Sequence, residues 1–129
     1  MRALTVLKSV LLWSVIVNSS LLATATGPWP PSDLKCEYLT DPTAIDVQHP
    51  RFYWVLGHSE RDQAQSAYQI LVSTDEHVNT GDQWDSGKLM SAQSIHVEYA
   101  GKPLVSGQTY YWKVRYWDRQ DRPSNYSNV

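Results

Sequence analysis

With 129 residues and 13 acidic against 11 basic side chains, the chain carries a formal charge of −2, enough sequence for one domain with no room for a second, catalytic one. No basic run is present, which argues against nucleic acid and anionic membrane surfaces as partners. One cysteine, Cys36, excludes an internal disulfide and any cysteine-based zinc site.

Met1, Arg2 and Lys8 make a positive start, Val10–Val17 with Leu21 and Leu22 an apolar centre, and Ala23-Thr24-Ala25 a small-residue cleavage pattern. A bilayer span needs about 20 apolar residues, more than this segment supplies. Residues 1–25 therefore read as a secretory signal peptide, and the expected location is secreted or extracellular, with no membrane association once the signal is removed. The remaining 104 residues hold 9 basic and 13 acidic side chains.

Residues 26–33, containing Pro28-Trp29-Pro30-Pro31, are expected as a stiff, extended lead-in. Residues 34–129 then read as the domain. Leu34–Leu39 forms a first strand with Leu34, Cys36 and Tyr38 inward, and Asp41-Pro42 ends it. Arg51–Leu56 follows with Phe52, Trp54 and Leu56 inward, and Gln65–Ser73 with Tyr68, Ile70 and Val72 inward. The polar stretch 75–81 has room for one helical turn. Trp84–Lys88 is a short strand closed by a glycine turn at Gly87, and Ser94–Tyr99 another with Ile95, Val97 and Tyr99 inward.

The strongest alternation runs from Thr109 to Trp117. Tyr110, Trp112, Val114 and Tyr116 fall on the inner face, and Tyr111, Lys113, Arg115 and Trp117 on the outer. Short strands punctuated by Gly, Pro and Asp, without any run of helical period, specify an all-β, antiparallel sandwich of immunoglobulin or fibronectin type III type. Leu104 with Tyr110 six residues on fits a tyrosine corner, in which the hydroxyl bonds back to the preceding loop. Only Ser124–Val129 remains for a closing strand, so the domain is expected to be C-terminally truncated, with an open sheet edge.

The ordered blocks Leu34-Lys35-Cys36-Glu37-Tyr38-Leu39, Asp41-Pro42, Ile45-Asp46, Pro50-Arg51-Phe52-Tyr53-Trp54, Gln63–Val72, Trp84-Asp85-Ser86-Gly87-Lys88 and Tyr110–Arg115 resemble the N-terminal fibronectin-like module of α-L-rhamnosidases, glycoside hydrolase family 78. The resemblance covers about residues 32–128. It implies a parent chain in which this module precedes further β-domains and an (α/α) barrel. That barrel carries the acidic residues that hydrolyse terminal L-rhamnose with inversion. It brings no catalytic residue to this chain.

The residues themselves agree. Inverting glycosidases hold two carboxyl groups about 6.5–9.5 Å apart around a sugar. The nearest acidic pairs, Asp82 with Asp85 and Asp118 with Asp121, fall at turns, where Asp bonds local backbone. His49, His58, His77 and His96 lack metal-ligand spacing and read as solvated, and no cofactor is expected.

The outer row Tyr111, Lys113, Arg115 and Trp117 has the composition of an interface, and is expected to meet the rest of a parent glycosidase, the module's own last strand and cross-strand partners, or a rhamnose-containing glycan. Asn125-Tyr126-Ser127 matches an N-glycan acceptor. The expected role is a non-catalytic accessory module of a secreted rhamnosidase-like enzyme; the alternative is a stand-alone adhesion or carbohydrate-binding module.

Overall fold

A computed structural model describes residues 26–129; the expected signal peptide lies outside the described residues. Seven strands follow in order: β1 (Pro28–Cys36), β2 (Arg51–His58), β3 (Ala67–Ser73), β4 (Trp84–Asp85), β5 (Leu89–Met90), β6 (Val97–Glu98) and β7 (Tyr111–Trp117). One sheet has the order β1-β2-β6; in the other, β3 pairs with β4 and β5 along one side and with β7 along the other. All pairings are antiparallel.

The proline-rich segment is not a separate lead-in. Pro28 pairs with His58, Trp29 with Gly57 and Ser32 with Val55, so β1 begins before Leu34. Proline lacks an N–H, and an edge strand tolerates it because one side of its ladder is unused. The register shifts between Trp29 and Ser32 and again before Lys35, and Asp33 sits at φ 48° within the second shift.

The strand's end also differs from the alternating pattern. Cys36 and Leu39 exchange both backbone hydrogen bonds at 3.0 Å, with Glu37 and Tyr38 both at positive φ between them. That is a two-residue hairpin turn. It leaves Cys36 buried and turns Tyr38 outward, against the expected inward placement. Ile95 is likewise exposed rather than inward. His96 adopts φ 55°, which breaks the alternation and confines β6 to Val97–Glu98.

β2, β3 and β7 follow their patterns. Cys36, Phe52, Trp54, Tyr68, Ile70, Val72, Val97, Tyr99 and Val114 form the core between the sheets, with Leu104, Tyr110 and Trp112 packed against it. Each large apolar side chain so buried stabilises the fold by about 1.5–3 kcal/mol. The core indole of Trp54 donates to Gln65 Oε1 at 3.0 Å, and the Gln65 amide donates to the carbonyls of Ser91 and Gln93. The Val105 amide donates to the Tyr110 hydroxyl at 2.8 Å, forming the tyrosine corner. Val78, buried in a turn at residues 75–78, replaces the helical turn for which the sequence left room.

Between β4 and β5 the register against β3 slips by one residue: Leu71 pairs with Asp85, but Tyr68 pairs with Leu89. Gly87, at φ 61°, absorbs the bulge. Beside β7, Ser124–Val129 lies where a closing strand belongs. The amides of Ser124 and Ser127 donate to the carbonyls of Tyr116 and Val114 at 2.8 Å. In return, Ser124 Oγ and Ser127 Oγ accept from the amides of Tyr116 and Val114 at 3.1 and 3.0 Å. This stretch of the β7 edge is thus closed half by backbone and half by serine hydroxyls.

Candidate docking surfaces

The outer face of β7 is a row of alternating rings and cations because the side-chain period is two. Antiparallel pairing with β3 sets Gln69 opposite Arg115 and Ala67 opposite Trp117. Arg115 donates twice to Gln69 Oε1, at 3.0 and 2.8 Å, and the Tyr126 hydroxyl donates to the same oxygen at 3.0 Å. Gln69 Nε2 donates onward to Asp85 at 2.8 Å.

The Arg115 guanidinium lies 4.8 Å from the Trp117 ring centroid and 4.9 Å from that of Tyr126. Lys113 covers Tyr126 at 4.8 Å, and Lys88 covers Trp117 at 4.9 Å while pairing with Asp121. Trp117 is only 8% exposed and Tyr111, Lys113 and Arg115 are half-buried. The four expected contact residues do share one face, but its rings and cations are largely engaged with one another. Trp117 offers little surface for stacking on a ligand.

The outer face of the β1-β2-β6 sheet is different. Tyr38 (57% exposed), Val55 (51%) and Ile95 (59%) stand open on it. Beside Tyr38 lies a buried ring: that of Tyr53 is 4.6 Å from that of Tyr38 and 5.2 Å from that of His96. Tyr38 and His96 are hydrogen-bonded at 2.7 Å. The Tyr53 hydroxyl is buried without a hydrogen-bond partner among the described residues. At the rim, Arg51 forms a two-pronged pair with Glu37 at 2.8 and 3.2 Å, which holds the Glu37 carboxyl below the usual carboxylate range.

The acidic residues of the two candidate pairs have structural partners. Asp82 accepts from the Thr74 amide and hydroxyl, and Asp85 from Gln69 and the Gly87 amide. Asp118 is fully buried and accepts from His58 Nε2 (3.0 Å), Arg122 Nε (2.7 Å) and the amides of Gln120 (2.9 Å) and Arg122 (3.0 Å). Burial pushes the Asp118 carboxyl up, but the hydrogen bonds from His58 and Arg122 outweigh it and bring it down to about 2.

His58 is not solvated as expected; its side chain is buried on β2. Its Nδ1 accepts from the Glu60 amide at 2.9 Å, so a neutral ring has its proton on Nε2, facing Asp118. Both ring nitrogens are engaged, which leaves none to serve as a base. Arg122 completes the network with a two-pronged pair to Glu60 at 3.1 and 3.0 Å. No group of three or more His, Cys, Asp or Glu with metal-holding geometry occurs among the described residues.

Cys36 is buried, as expected, and burial next to Glu37 raises its thiol to about 12. Asn125 is exposed, whereas Ser127 of the same acceptor motif is buried. Gln65, His58 and Asp118 are engaged polar residues that the strand pattern does not reveal, because their partners lie far away in the sequence.

Comparison with known proteins gives a consistent picture. Residues 31–129 match the family model described as the Rha78A-like, N-terminal immunoglobulin domain. An alpha-L-rhamnosidase of Formosa agariphila is 46% identical over 95 residues, which are 72% of this chain and 10% of that protein. The solved alpha-L-rhamnosidase of Dictyoglumus thermophilum superposes with a TM-score of 0.76 at 40% identity, covering 81% of this chain and 12% of that one. The Streptomyces avermitilis alpha-L-rhamnosidase, solved with L-rhamnose, superposes with a TM-score of 0.74 at 36% identity, covering 77% and 10%. The chain therefore spans about a tenth of the length of these relatives.

Proposed function

The chain belongs to the family of Rha78A-like N-terminal immunoglobulin domains, and from that membership we propose that it serves as a non-catalytic accessory module of a secreted α-L-rhamnosidase-like glycoside hydrolase. Its task is to pack on and position the catalytic region. The observation that carries this reading is the match of one sandwich to about a tenth of each rhamnosidase. Of the acidic pairs nearest in sequence, Asp82, Asp85 and Asp118 are engaged in structural bonds. Secretion rests on the signal-like pattern of residues 1–25.

Between the two outer faces, exposure favours the one bearing Tyr38, Val55 and Ile95 as the contact with the remaining domains of such an enzyme. Interface cores are built from aromatic and aliphatic groups that lose water on contact. The row Tyr111, Lys113, Arg115 and Trp117 ranks second, because its groups already satisfy one another.

A domain exchange tests the reading. Residues 26–129 replace the corresponding module of the Streptomyces avermitilis enzyme, and thermal stability and hydrolysis of an aryl rhamnoside are measured. The chimera is expected to hydrolyse the glycoside and the isolated chain is not. Val55→Glu and Ile95→Glu should lower the melting temperature of the chimera while changing the stability of the isolated chain by no more than about 0.5 kcal/mol, as exposed substitutions do. Turnover by the pure chain, or a chimera indifferent to both substitutions, would overturn the proposal.

A further inference from the structure

A second surface feature lies away from both outer rows, where the start of β1 meets the segment after β7. Thr26, Gly27, Pro28, Trp29, Pro30, Arg122, Pro123 and Asn125 line a depression of about 300 Å³. That volume is at the lower end for small-molecule pockets. Trp29 is 54% exposed although it belongs to a paired strand. Its register partner is Gly57, and a Cβ added there would come within 3.0 Å of the indole. The indole is thus seated on bare β2 backbone, with much of its surface open to solvent.

Flanking prolines restrict the backbone that carries this ring. Across the depression, Arg122 is fixed by two bonds to Glu60 and one to Asp118, so its charge is balanced and its position set. Asn125 is exposed, and its side-chain amide makes no hydrogen bond to the described residues. It offers both donors and an acceptor to a ligand.

We propose that this depression binds a neutral pyranose sugar. The sugar's C–H face lies on Trp29, and its hydroxyls bond the Asn125 amide and the one Nη1 N–H of Arg122 that the bonds to Asp118, Glu60 and Gln120 leave free. Three features select this class. A supported indole provides an apolar platform with no charge. An amide can serve a hydroxyl as donor or acceptor. A guanidinium already neutralised by two carboxylates gains little from an anionic ligand. The site is separate from the proposed contact between domains and does not depend on it.

The test uses the full chain, uniformly ¹⁵N-labelled and produced without N-glycosylation so that Asn125 keeps its amide. Methyl α-L-rhamnoside and methyl α-D-glucoside are titrated in turn, and the indole and side-chain amide signals are followed by NMR. A ligand of this size in a shallow site is expected to bind with a Kd on the order of 1–10 mM. The Trp29 indole and Asn125 amide signals should shift together with at least one of the two glycosides.

Trp29→Ala and Asn125→Ala should each weaken binding about tenfold or more, the size expected when a stacking surface or a hydroxyl-bonding partner is removed. Asn125→Ala alters an exposed side chain, so it remains informative if Trp29→Ala disturbs β1. Absence of any shift at about 50 mM of either glycoside, well above the expected Kd, would overturn the proposal. So would an unchanged affinity in Asn125→Ala, or shifts confined to the Tyr111–Trp117 row.

Discussion

Replacing Asp118 by Asn removes the charge at the centre of the most buried polar network and keeps the side-chain volume. Asp118 has no exposed surface and takes four hydrogen bonds, from His58, from Arg122 Nε and from two backbone amides. Asn can keep the amide bonds through its oxygen, but then turns an NH₂ toward Arg122 and the His58 N–H. Breaking a buried pair in this way costs about 3–5 kcal/mol, and the bonds that survive argue for the lower figure. For a domain near 100 residues, about 3 kcal/mol lowers Tm by roughly 12–24 °C.

The pH profile gives an independent reading. A carboxyl whose folded pKa is depressed contributes stability that is fully present above its unfolded pKa and is lost as pH falls through the folded value. For Asp118 that window runs from the ordinary 3.8 down to about 2. The corresponding contribution is about 2 kcal/mol. Urea melts followed by circular dichroism between pH 7 and pH 2 measure both quantities. If Asp118→Asn costs less than about 1 kcal/mol at pH 7, or loses stability below pH 4 as steeply as wild type, Asp118 does not anchor the fold.

Three further outcomes follow from named contacts. Cys36 should resist a thiol reagent at pH 8 until the chain is unfolded in urea, because burial raises its pKa to about 12; fast native labelling would show a looser β1. Tyr110→Phe removes the acceptor for the Val105 amide and should cost about 1 kcal/mol in urea melts. Ser127→Ala strips the acceptor from the buried Val114 amide and should cost about 1–3 kcal/mol, with faster amide exchange at Val114; an unchanged exchange rate would contradict the serine closure of the β7 edge.

The sequence made β2, β3 and β7 legible because the large inward residues of each recur at every second position. Phe52 and Trp54, then Tyr68, Ile70 and Val72, then Val114 and Tyr116 are inward as the period demands. It misled where one residue leaves the extended region. Tyr38, at φ 66° in a hairpin turn, and Ile95, next to His96 at φ 55°, were expected inward and point outward. Prolines 28, 30 and 31 suggested a lead-in because a central strand would reject them, yet the edge position of β1 accepts them. The partnership of His58 with Asp118 spans sixty residues and has no local signal.

Trp117 shows how the fold qualifies what composition suggests about an outer face. The period puts it on the outer face, where an indole beside Arg and Lys has the residue types of an interface hot spot. The fold then places Lys88 over the same ring and sets Gln69 opposite Arg115. A partner docking on this row would have to displace the paired bonds from Arg115 to Gln69, at about 1.5–3 kcal/mol for a bond to a charged group, before gaining any of its own. Docking on Tyr38, Val55 and Ile95 displaces only water. Of the two outer faces, the second is therefore the one on which a neighbouring domain gains most for the same area, although the sequence presents the first as the more aromatic.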